Sequence, residues 1–387
     1  MKIAIYTEHP LIVYGGLEKV LQITCNILKE KGHEVRIITI SPPNTLSHPL
    51  IEWFKDMPVY RYVLFPSRFL RLTCWLRLIL KKQNQSILKA ALDDFNRRGI
   101  PDLVLITDPE LIQELHWIKE EKGLKTRIYF WDHGLASVCA YWLSKKRGNL
   151  NLRFRSFAWL FSQIFKKTLS LVDGILAISS GIRSFFSSII PKEKIHIVFN
   201  PVEPINAEFV KPASPPRFIF VGRLTDFDKN LSFLIEGLSH LKNEEWAIDI
   251  IGSGPDEKRL KSLAQKLGLE DKMHWLGFHP QPFSIIQECT ALLLTSRTEG
   301  FSMVLVEAIQ RGIPVISSNC RSGPEDIVIN GVNGYLFPEG NMKTFVEILS
   351  KVIKGELKFG NREEIVKTAE RFSPEEFYKR LKGALSL

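Results

Sequence analysis

Four charged residues in the second half of the chain have the types and the spacing to bind a phosphorylated, hydroxyl-rich ligand. Arg223 and Lys229 lie six positions apart in "FIFVGRLTDFDKN", in a loop that follows an apolar strand pattern. Two cations at a strand end suit a diphosphate, although two solvated loop charges would give the same pattern. Glu299 and Glu307 lie eight positions apart in "SRTEGFSMVLVEAIQRG", where a strand pattern changes to a helical one. Carboxylates at these positions are suited to accept hydrogen bonds from hydroxyl groups.

The spacing of the two glutamates argues against a pair of acids that act on one glycosidic bond. Eight residues of helix rise about 12 Å, whereas the two carboxylates of a glycosidase lie about 5–9.5 Å apart. We therefore expect Glu299 and Glu307 to bind different parts of one long ligand, such as a nucleotide sugar. Hydroxyls of the sugar would bind Glu299 and the ribose would bind Glu307. The alternative, that Glu307 is a helix-surface residue, is disfavoured by its apolar neighbours.

Gly300 permits a tight turn between these strand and helix patterns. The backbone N–H groups of Phe301, Ser302 and Met303 are then donors at the start of a helix, which is a ready site for an anion. We therefore expect the diphosphate of the ligand to lie against this turn, between the two glutamates.

Two further glycines follow the preceding strand pattern. Gly252 and Gly254 in "IIGSGP" would let the backbone approach a ligand closely. The motif is not GxGxxG, so a plain turn between strand and helix explains these glycines equally well.

A parallel α/β sheet has to position these residues, because all of them follow strand patterns. Short apolar runs alternate with helical patterns along nearly the whole chain, which is typical of parallel sheets with crossover helices. A proline-rich, aperiodic stretch at 200–217 is interpreted as a linker. The sequence predicts two doubly wound, Rossmann-like domains, 1–203 and 204–372, with a helix at 373–387. Ligands of such sheets bind outside the carboxyl ends of the strands, so we expect the site in a cleft between the domains.

Composition is that of a globular protein from a reducing compartment. Of the 387 residues 45% are hydrophobic and 24% are charged, and the length favours two domains. The five cysteines are scattered, which argues against a disulfide framework or a zinc cluster. The chain opens on a strand pattern rather than a secretory signal, and no apolar run reaches 18 residues. We therefore expect a cytoplasmic protein without a membrane-spanning helix.

The positive charge is concentrated in the first half. Residues 1–200 hold 29 Lys and Arg against 17 Asp and Glu, and the whole chain has 52 against 42. Two stretches, 57–92 and 133–172, contain no acid and interleave basic with apolar residues. Such segments bind anionic membrane surfaces, which is the partner predicted here. A solvated helix face is the first alternative, and nucleic acid is not expected because no nucleic-acid motif accompanies the charge.

Several motifs together resemble one enzyme family. "EGFSMVLVEAI" resembles the E-x7-E signature of retaining glycosyltransferases with the GT-B fold, above all family 4. "VGRL" followed by Lys229, "IIGSGP", "NPV" at Asn200–Val202 and "YGGLEKV" occur in the order that this family shows. "SSNCRSGPEDIV" further resembles the bacterial branch that includes lipopolysaccharide galactosyltransferases and transferases that build lipid-linked oligosaccharides.

The resemblance implies a role for each matching residue of the second domain. Arg223 and Lys229 would neutralise the diphosphate of the donor. Glu299 would hold hydroxyls of the transferred sugar, and Glu307 would hold the ribose.

The resemblance also implies roles for three residues of the first domain. Gly15 and Gly16, in the glycine loop after the first strand, would let that loop close over the donor. His133, at a strand end in "YFWDHG", matches a histidine that lies near the transferred sugar, although isolated histidines are often structural. The helix at 373–387 would cross back onto this domain.

The expected co-substrate is a UDP-linked nucleotide sugar. No metal and no other cofactor are expected. "DFD" at Asp226–Asp228 spells the metal-binding DxD motif of the other large glycosyltransferase fold. Here it lies between Arg223 and Lys229, whose charges would replace the metal. Since no carboxylate is evident as a covalent nucleophile, the acceptor hydroxyl is expected to attack from the face that the diphosphate leaves.

The predicted function is transfer of a hexose or N-acetylhexosamine to a lipid-linked or membrane-bound glycan. The expected pathway is the synthesis of a surface polysaccharide such as lipopolysaccharide, at the cytoplasmic face of the inner membrane. Three alternatives remain: an inactive subunit that binds nucleotide sugars, a UDP-sugar epimerase of similar architecture, and a nicotinamide-dependent dehydrogenase. The last is disfavoured because no GxGxxG with a following acid is present.

Overall fold

The computed structural model describes residues 1–9, 11, 15–41, 54, 56–63, 85–134, 163, 165–205 and 209–387. These residues form two compact units. The first comprises Met1–Pro201 together with Phe377–Leu387, and the second comprises Val202–Glu376. Most of the two acid-free stretches, at 64–84 and 135–162, lies outside the described residues, so their binding to a membrane surface stays a prediction.

The first unit is built on a seven-stranded parallel sheet. Its strands are β1 (Lys2–Thr7), β2 (Glu34–Ser41), β3 (Val59–Val63), β4 (Leu103–Ile106), β5 (Arg127–Asp132), β6 (Gly174–Ala177) and β7 (Ile195–Ile197). They lie in the order β3-β2-β1-β4-β5-β6-β7. Its helices are α1 (Gly16–Glu30), α2 (Gln85–Arg98), α3 (Ile112–Glu121) and α4 (Ser180–Ser187). Strands such as β4 and β6 are buried along their whole length, as in parallel sheets that are covered on both faces.

The second unit repeats this plan with six parallel strands. They are β8 (Arg217–Val221), β9 (Ala247–Ile251), β10 (Met273–Gly277), β11 (Ala291–Leu294), β12 (Val315–Asn319) and β13 (Gly334–Pro338), in the order β10-β9-β8-β11-β12-β13. The helices are α5 (Asp226–Lys229), α6 (Leu231–Ser239), α7 (Glu257–Lys266), α8 (Met303–Ile309), α9 (Pro324–Ile327), α10 (Met342–Ile353) and α11 (Arg362–Lys367).

An aromatic core holds one face of the second sheet. Phe218 and Phe220 alternate along β8 and are fully buried, together with Phe337 from β13 and Phe345 from α10. The rings of Phe337 and Phe345 lie 4.8 Å apart between centroids. This packing joins the central strand β8 to the outer strand β13 and so supports the loops at the carboxyl end of the sheet.

The last helix, α12 (Pro374–Leu385), begins in the second unit and ends in the first. Phe377, Leu381 and Leu385 form its buried face. Phe377 packs on Trp131 of β5, with 6.4 Å between ring centroids. The Tyr378 hydroxyl and Nε2 of His33 lie 3.1 Å apart. These contacts make α12 part of the hydrophobic core of the first unit.

Within the described part of the chain, no helix is long and apolar enough to cross a membrane.

Candidate active site

The charged residues predicted from the sequence lie around the carboxyl ends of β8 and β11. These strands are neighbours in the second sheet, but the chain runs from β8 outward through β9 and β10 before it returns at β11. Such a reversal of strand order opens a crevice, where ligands of doubly wound sheets bind. Arg223 and Lys229 follow β8, and Glu299 follows β11. The sheet order therefore brings two distant loops to one place.

Lys229 and Glu299 form an ion pair in this crevice. Nζ of Lys229 lies 2.7 Å from Oε1 of Glu299, and the two side chains are 21% and 9% exposed. Burial, the largest single effect, lowers the pKa of the Lys229 ammonium, but the charge and hydrogen bond of Glu299 together with the charge of Asp228 outweigh it, so the pKa lies above its usual value. The site therefore carries a charged ammonium in direct contact with a carboxylate.

Arg223 and Glu307 do not take part in this ion pair. Arg223 is exposed in the loop after β8, and its guanidinium makes no hydrogen bond within the described residues. Glu307 is half-buried in α8, and its backbone carbonyl accepts a 2.7 Å hydrogen bond from Nη1 of Arg311. The structure thus leaves the Arg223 guanidinium accessible to an anion, whereas the contact of Glu307 with ribose stays a prediction.

The turn that carries Lys229 is tied to the loop after β11. The Thr295 hydroxyl donates to the carbonyls of Lys229 and Asn230, at 3.1 and 3.2 Å. The backbone N–H of Arg297 donates to the carbonyl of Asp228 at 2.8 Å, and its guanidinium donates to the carbonyl of Asp226. Lys229 is therefore held by its main chain as well as by its contact with Glu299.

The two aspartates of the DxD sequence already have partners. The Asp226 carboxylate accepts hydrogen bonds from the backbone and the hydroxyl of Ser232, at 2.7 and 2.9 Å, and pairs with Arg259 at 2.9 Å. The Asp228 carboxylate accepts a 2.5 Å hydrogen bond from Thr225. These contacts close the α5 turn, and no cluster of three potential metal ligands occurs among the described residues.

Three buried serines that sequence reasoning missed surround Glu299. The Ser296 hydroxyl donates to Oε1 of Glu299 at 2.6 Å, and the Ser322 hydroxyl donates to the Glu299 carbonyl at the same distance. The Ser318 hydroxyl donates to the carbonyl of Ser296, again at 2.6 Å. Serines at strand ends carry no periodic signal, so only the fold reveals that they converge on this glutamate.

Gly252 and Gly254 allow two loops to pack backbone against backbone. A Cβ on Gly252 would lie 1.8 Å from the carbonyl oxygen of Gly222, and φ at Gly252 is +150°. A Cβ on Gly254 would lie 2.4 Å from the carbonyl oxygen of Leu224. Both glycines thus shape the loop that carries Arg223, and their own approach to a ligand stays a prediction.

Gly300, Phe301 and Ser302 form the turn into α8. Phe301 is buried against Phe372, with ring centroids 5.3 Å apart. Ser302 has left-handed backbone angles, φ 76° and ψ 67°, so its hydroxyl does not cap the helix. That hydroxyl is buried and has no hydrogen-bond partner among the described residues. The helix itself spans only seven residues, and anion binding by its first amides stays a prediction.

His133 lies in the first unit, directly after β5. Its ring packs on Trp131 with 4.4 Å between centroids. Burial, and secondarily the charge of His9, lower the pKa of His133 to about 3, so the imidazole is neutral at physiological pH. Its Nε2 atom is buried and has no hydrogen-bond partner within the described residues.

Gly15 is the last residue of the loop that follows β1, and Gly16 begins α1. A Cβ on Gly15 would lie 2.5 Å from the Glu18 carboxylate, whereas one on Gly16 would meet no atom within 4 Å. Glu18 is buried and lies 3.6 Å from Nδ1 of His9. The loop therefore ends against a buried acid, and its closure over a donor stays a prediction.

Comparison with known proteins defines the class to which this fold and site belong. The sequence model of the family described as "Glycosyltransferase Family 4" matches residues 14–205. The model of the family described as "Glycosyl transferases group 1" matches residues 202–372. The protein is thus a glycosyltransferase with the GT-B fold, whose two Rossmann-like domains are those described above. The chain belongs to glycosyltransferase family 4, which confirms the family and the fold class predicted from the sequence.

Several relatives are bacterial. The chain is 37% identical over 260 residues to lipopolysaccharide 1,6-galactosyltransferase of Salmonella typhimurium, across 64% of this chain and 71% of that protein. It matches the structure of the lipopolysaccharide outer core galactosyltransferase WaaB with a TM-score of 0.78 and 27% identity, over 100% and 99% of the two chains. It also shares its fold with Anabaena HepE, solved with UDP-glucose, at a TM-score of 0.72 and 18% identity, over 100% and 99% of the chains.

Proposed function

We propose that this protein is a retaining glycosyltransferase that moves a hexose or N-acetylhexosamine from a UDP-sugar to a lipid-linked or membrane-bound glycan. The observation that carries the proposal is the Lys229–Glu299 ion pair at the reversal of strand order in the second sheet. An ammonium beside a carboxylate offers a charge for a diphosphate and acceptors for sugar hydroxyls. Those two chemical parts are adjacent in every nucleoside diphosphate sugar.

In this proposal the cations act on the leaving group. Lys229 and Arg223 bind the diphosphate and stabilise the negative charge that grows on it as the sugar departs. Because Asp226 and Asp228 are engaged in closing their own turn, we propose that these two cations replace a metal ion. No other cofactor is part of the proposal.

The two carboxylates and His133 are proposed to bind the hydroxyl groups of the donor. Glu299 accepts hydrogen bonds from the transferred sugar, and Glu307 binds the ribose. His133 is the residue of the first unit that we propose for sugar contact, and its neutral ring offers one donor and one acceptor without adding charge. Gly15 and Gly16 are proposed to let the loop after β1 adapt to the donor.

The proposed reaction keeps the anomeric configuration of the sugar. The acceptor hydroxyl oxygen forms a bond to the anomeric carbon while the bond from that carbon to the phosphate oxygen breaks. The hydroxyl proton passes to the departing phosphate oxygen on the same face. The protein then contributes positioning and charge stabilisation rather than a covalent nucleophile.

The names of the relatives support the acceptor. Two of the relatives are named as lipopolysaccharide galactosyltransferases, and the positive charge of residues 1–200 suits an anionic membrane surface. We therefore propose that the acceptor is a lipopolysaccharide core or a related glycan, reached from the cytoplasmic face of the inner membrane. UDP-galactose is the first donor to test, with no nucleic-acid partner expected.

A donor panel tests this function. Purified protein is mixed with UDP-, GDP- and ADP-linked hexoses, its melting temperature is recorded, and release of nucleotide is followed with and without a truncated lipopolysaccharide acceptor. We expect UDP-sugars to raise the melting temperature, and product to form with retained configuration by NMR. Lys229→Ala should lower turnover by about 10²–10³-fold, whereas Lys343→Ala, at a residue that is 87% exposed, should not.

Four outcomes would overturn parts of the proposal. Binding without acceptor-dependent product indicates an inactive subunit, and sugar isomerisation without acceptor indicates an epimerase. Inversion at the anomeric carbon contradicts the retaining reaction. Unchanged transfer by Lys229→Ala contradicts the role of the ion pair.

A further inference from the structure

The two oxygens of the Glu299 carboxylate differ in their hydrogen-bond partners. Oε1 accepts hydrogen bonds from Nζ of Lys229 at 2.7 Å and from the Ser296 hydroxyl at 2.6 Å. No hydrogen bond reaches Oε2 from the part of the chain that the structure describes. Each carboxylate oxygen has two lone pairs, so the protein fills the capacity of Oε1 and leaves Oε2 for another donor.

The two groups that hold Oε1 differ in what a ligand can do to them. Lys229 is 21% exposed and carries a charge, so a diphosphate would compete with Glu299 for it. Ser296 is fully buried and neutral, so an anion in the crevice does not draw it away. Ser296 is the partner that can hold Glu299 through a change in the contacts of Lys229.

The backbone around this contact is fixed independently of the Ser296 hydroxyl. Ser318 donates to the carbonyl of Ser296, and Ser322 donates to the carbonyl of Glu299. Ser318 is fully buried and Ser322 is 2% exposed, so water does not compete for these bonds. The Ser296 hydroxyl is thus left with the Glu299 side chain as its partner, rather than with the loop.

We propose that Ser296 is a positioning residue that turns the Glu299 carboxylate so that Oε2 faces the sugar of the donor. The inference rests on the proposed function, since it needs a sugar at Glu299. Ser296 touches neither sugar nor phosphate. It fixes the rotation of the carboxylate, while Lys229 is shared between Oε1 and the diphosphate.

A matched pair of serine variants tests the assignment. Ser296→Ala removes the hydroxyl that contacts Glu299. Ser317→Ala removes an equally buried hydroxyl one strand away, which donates to the carbonyl of Ser318 at 3.0 Å. Both variants are assayed for melting temperature, for UDP affinity by calorimetry, and for KM and kcat with the UDP-sugar that wild type uses.

The expected pattern separates the sugar from the nucleotide. In Ser296→Ala, kcat/KM for the UDP-sugar falls by about 10-fold or more, as for loss of a hydrogen bond to a charged group. The Kd for UDP stays within about twofold of wild type, because UDP lacks the sugar. Ser317→Ala keeps the wild-type kcat/KM and the wild-type Kd for UDP. If Ser296→Ala does not fold, Ser296→Cys fills the same space with a weak donor and should show the same split.

Three results would overturn the positioning role: wild-type kcat/KM in Ser296→Ala, an equal loss of UDP affinity, or the same kinetic loss in Ser317→Ala. Wild type is the reference that separates the two hypotheses. If wild type transfers no sugar, the proposed function fails and the positioning role fails with it. If wild type transfers sugar and Ser296→Ala does so equally well, only the positioning role fails.

Discussion

A charged ligand that enters the crevice has to compete with the ion pair already there. Lys229 and Glu299 neutralise each other at 2.7 Å in a mostly buried setting. A diphosphate that approaches Lys229 gains an ammonium partner but also approaches the negative charge of Glu299. In the proposed function, the contact between these residues therefore weakens binding of the nucleotide while it keeps the carboxylate in place for the sugar.

Replacement of Glu299 by Gln should strengthen the binding of UDP and weaken the transfer of the sugar. Gln keeps the shape of the side chain but removes the charge, so the diphosphate loses its competitor for Lys229 and the Kd for UDP should fall by about 3- to 10-fold. An amide is a weaker acceptor for sugar hydroxyls, so kcat/KM for the UDP-sugar should fall by about 10-fold or more. Calorimetry with UDP and steady-state transfer measure the two effects. Weaker UDP binding in Glu299→Gln would contradict this competition.

At the scale of residues, the charged groups could be predicted but their contact could not. Arg223, Lys229 and Glu299 stand out because each follows an apolar strand pattern. The direct contact joins residues 70 positions apart, and it depends on the pairing of β8 with β11. The contact between Ser296 and Glu299 spans only three positions, but the pattern of apolar residues around it does not indicate that the two side chains meet.

At the scale of elements, the loops at the carboxyl ends of the strands depend on close backbone packing. Gly252, after β9, lies under the carbonyl of Gly222, after β8. The backbone N–H of Leu224 donates to the carbonyl of Ser253, and that of Asp256 donates to the carbonyl of Leu224. The loop that carries Arg223 thus rests on the turn after β9, and a side chain between them would push it away.

Two alanine substitutions where these loops meet should differ sharply in their effect on the free energy of unfolding. Gly252→Ala places a Cβ 1.8 Å from a backbone oxygen at φ +150°, so the free energy of unfolding of the second unit should fall by about 3 kcal/mol. Gly222→Ala meets only the Phe220 ring, at 3.4 Å, so the change should stay below about 1 kcal/mol. Urea denaturation measures both. Equal stability of the two variants would show that the loops separate freely.

The helix after β11 shows where sequence patterns fail at this scale. Periodicity predicts a helix near residues 302–311, whereas α8 spans Met303–Ile309. Its start is displaced because Ser302 adopts left-handed backbone angles that hydrophobic periodicity does not report. Its end precedes Gly312, whose φ of +71° turns the chain towards β12. The strand–helix alternation itself was predictable, since it depends on apolar runs and not on single backbone angles.

At the scale of the whole molecule, the sequence indicates the fold class through repetition. Strand and helix patterns alternate, pause at the proline-rich stretch near 200–217 and then resume, and the structure contains two parallel sheets. Sheet order within each unit was not predictable, because every strand in a parallel sheet has the same apolar pattern. The assignment of α12 depends on side-chain packing, and its buried face contacts β5, which lies more than 200 positions earlier.

Phe377 provides a test of how the units depend on α12. It is fully buried and packs on Trp131, so Phe377→Ala should lower the free energy of unfolding of the first unit by about 3–5 kcal/mol. Hydrogen exchange followed by mass spectrometry should show faster exchange in peptides of residues 1–201 and little change in peptides of 202–376. Lys382→Ala, at an exposed position of the same helix, should leave both sets unchanged. Equal acceleration of both sets in Phe377→Ala would mean that the units unfold as one, because α12 alone could not then account for the loss.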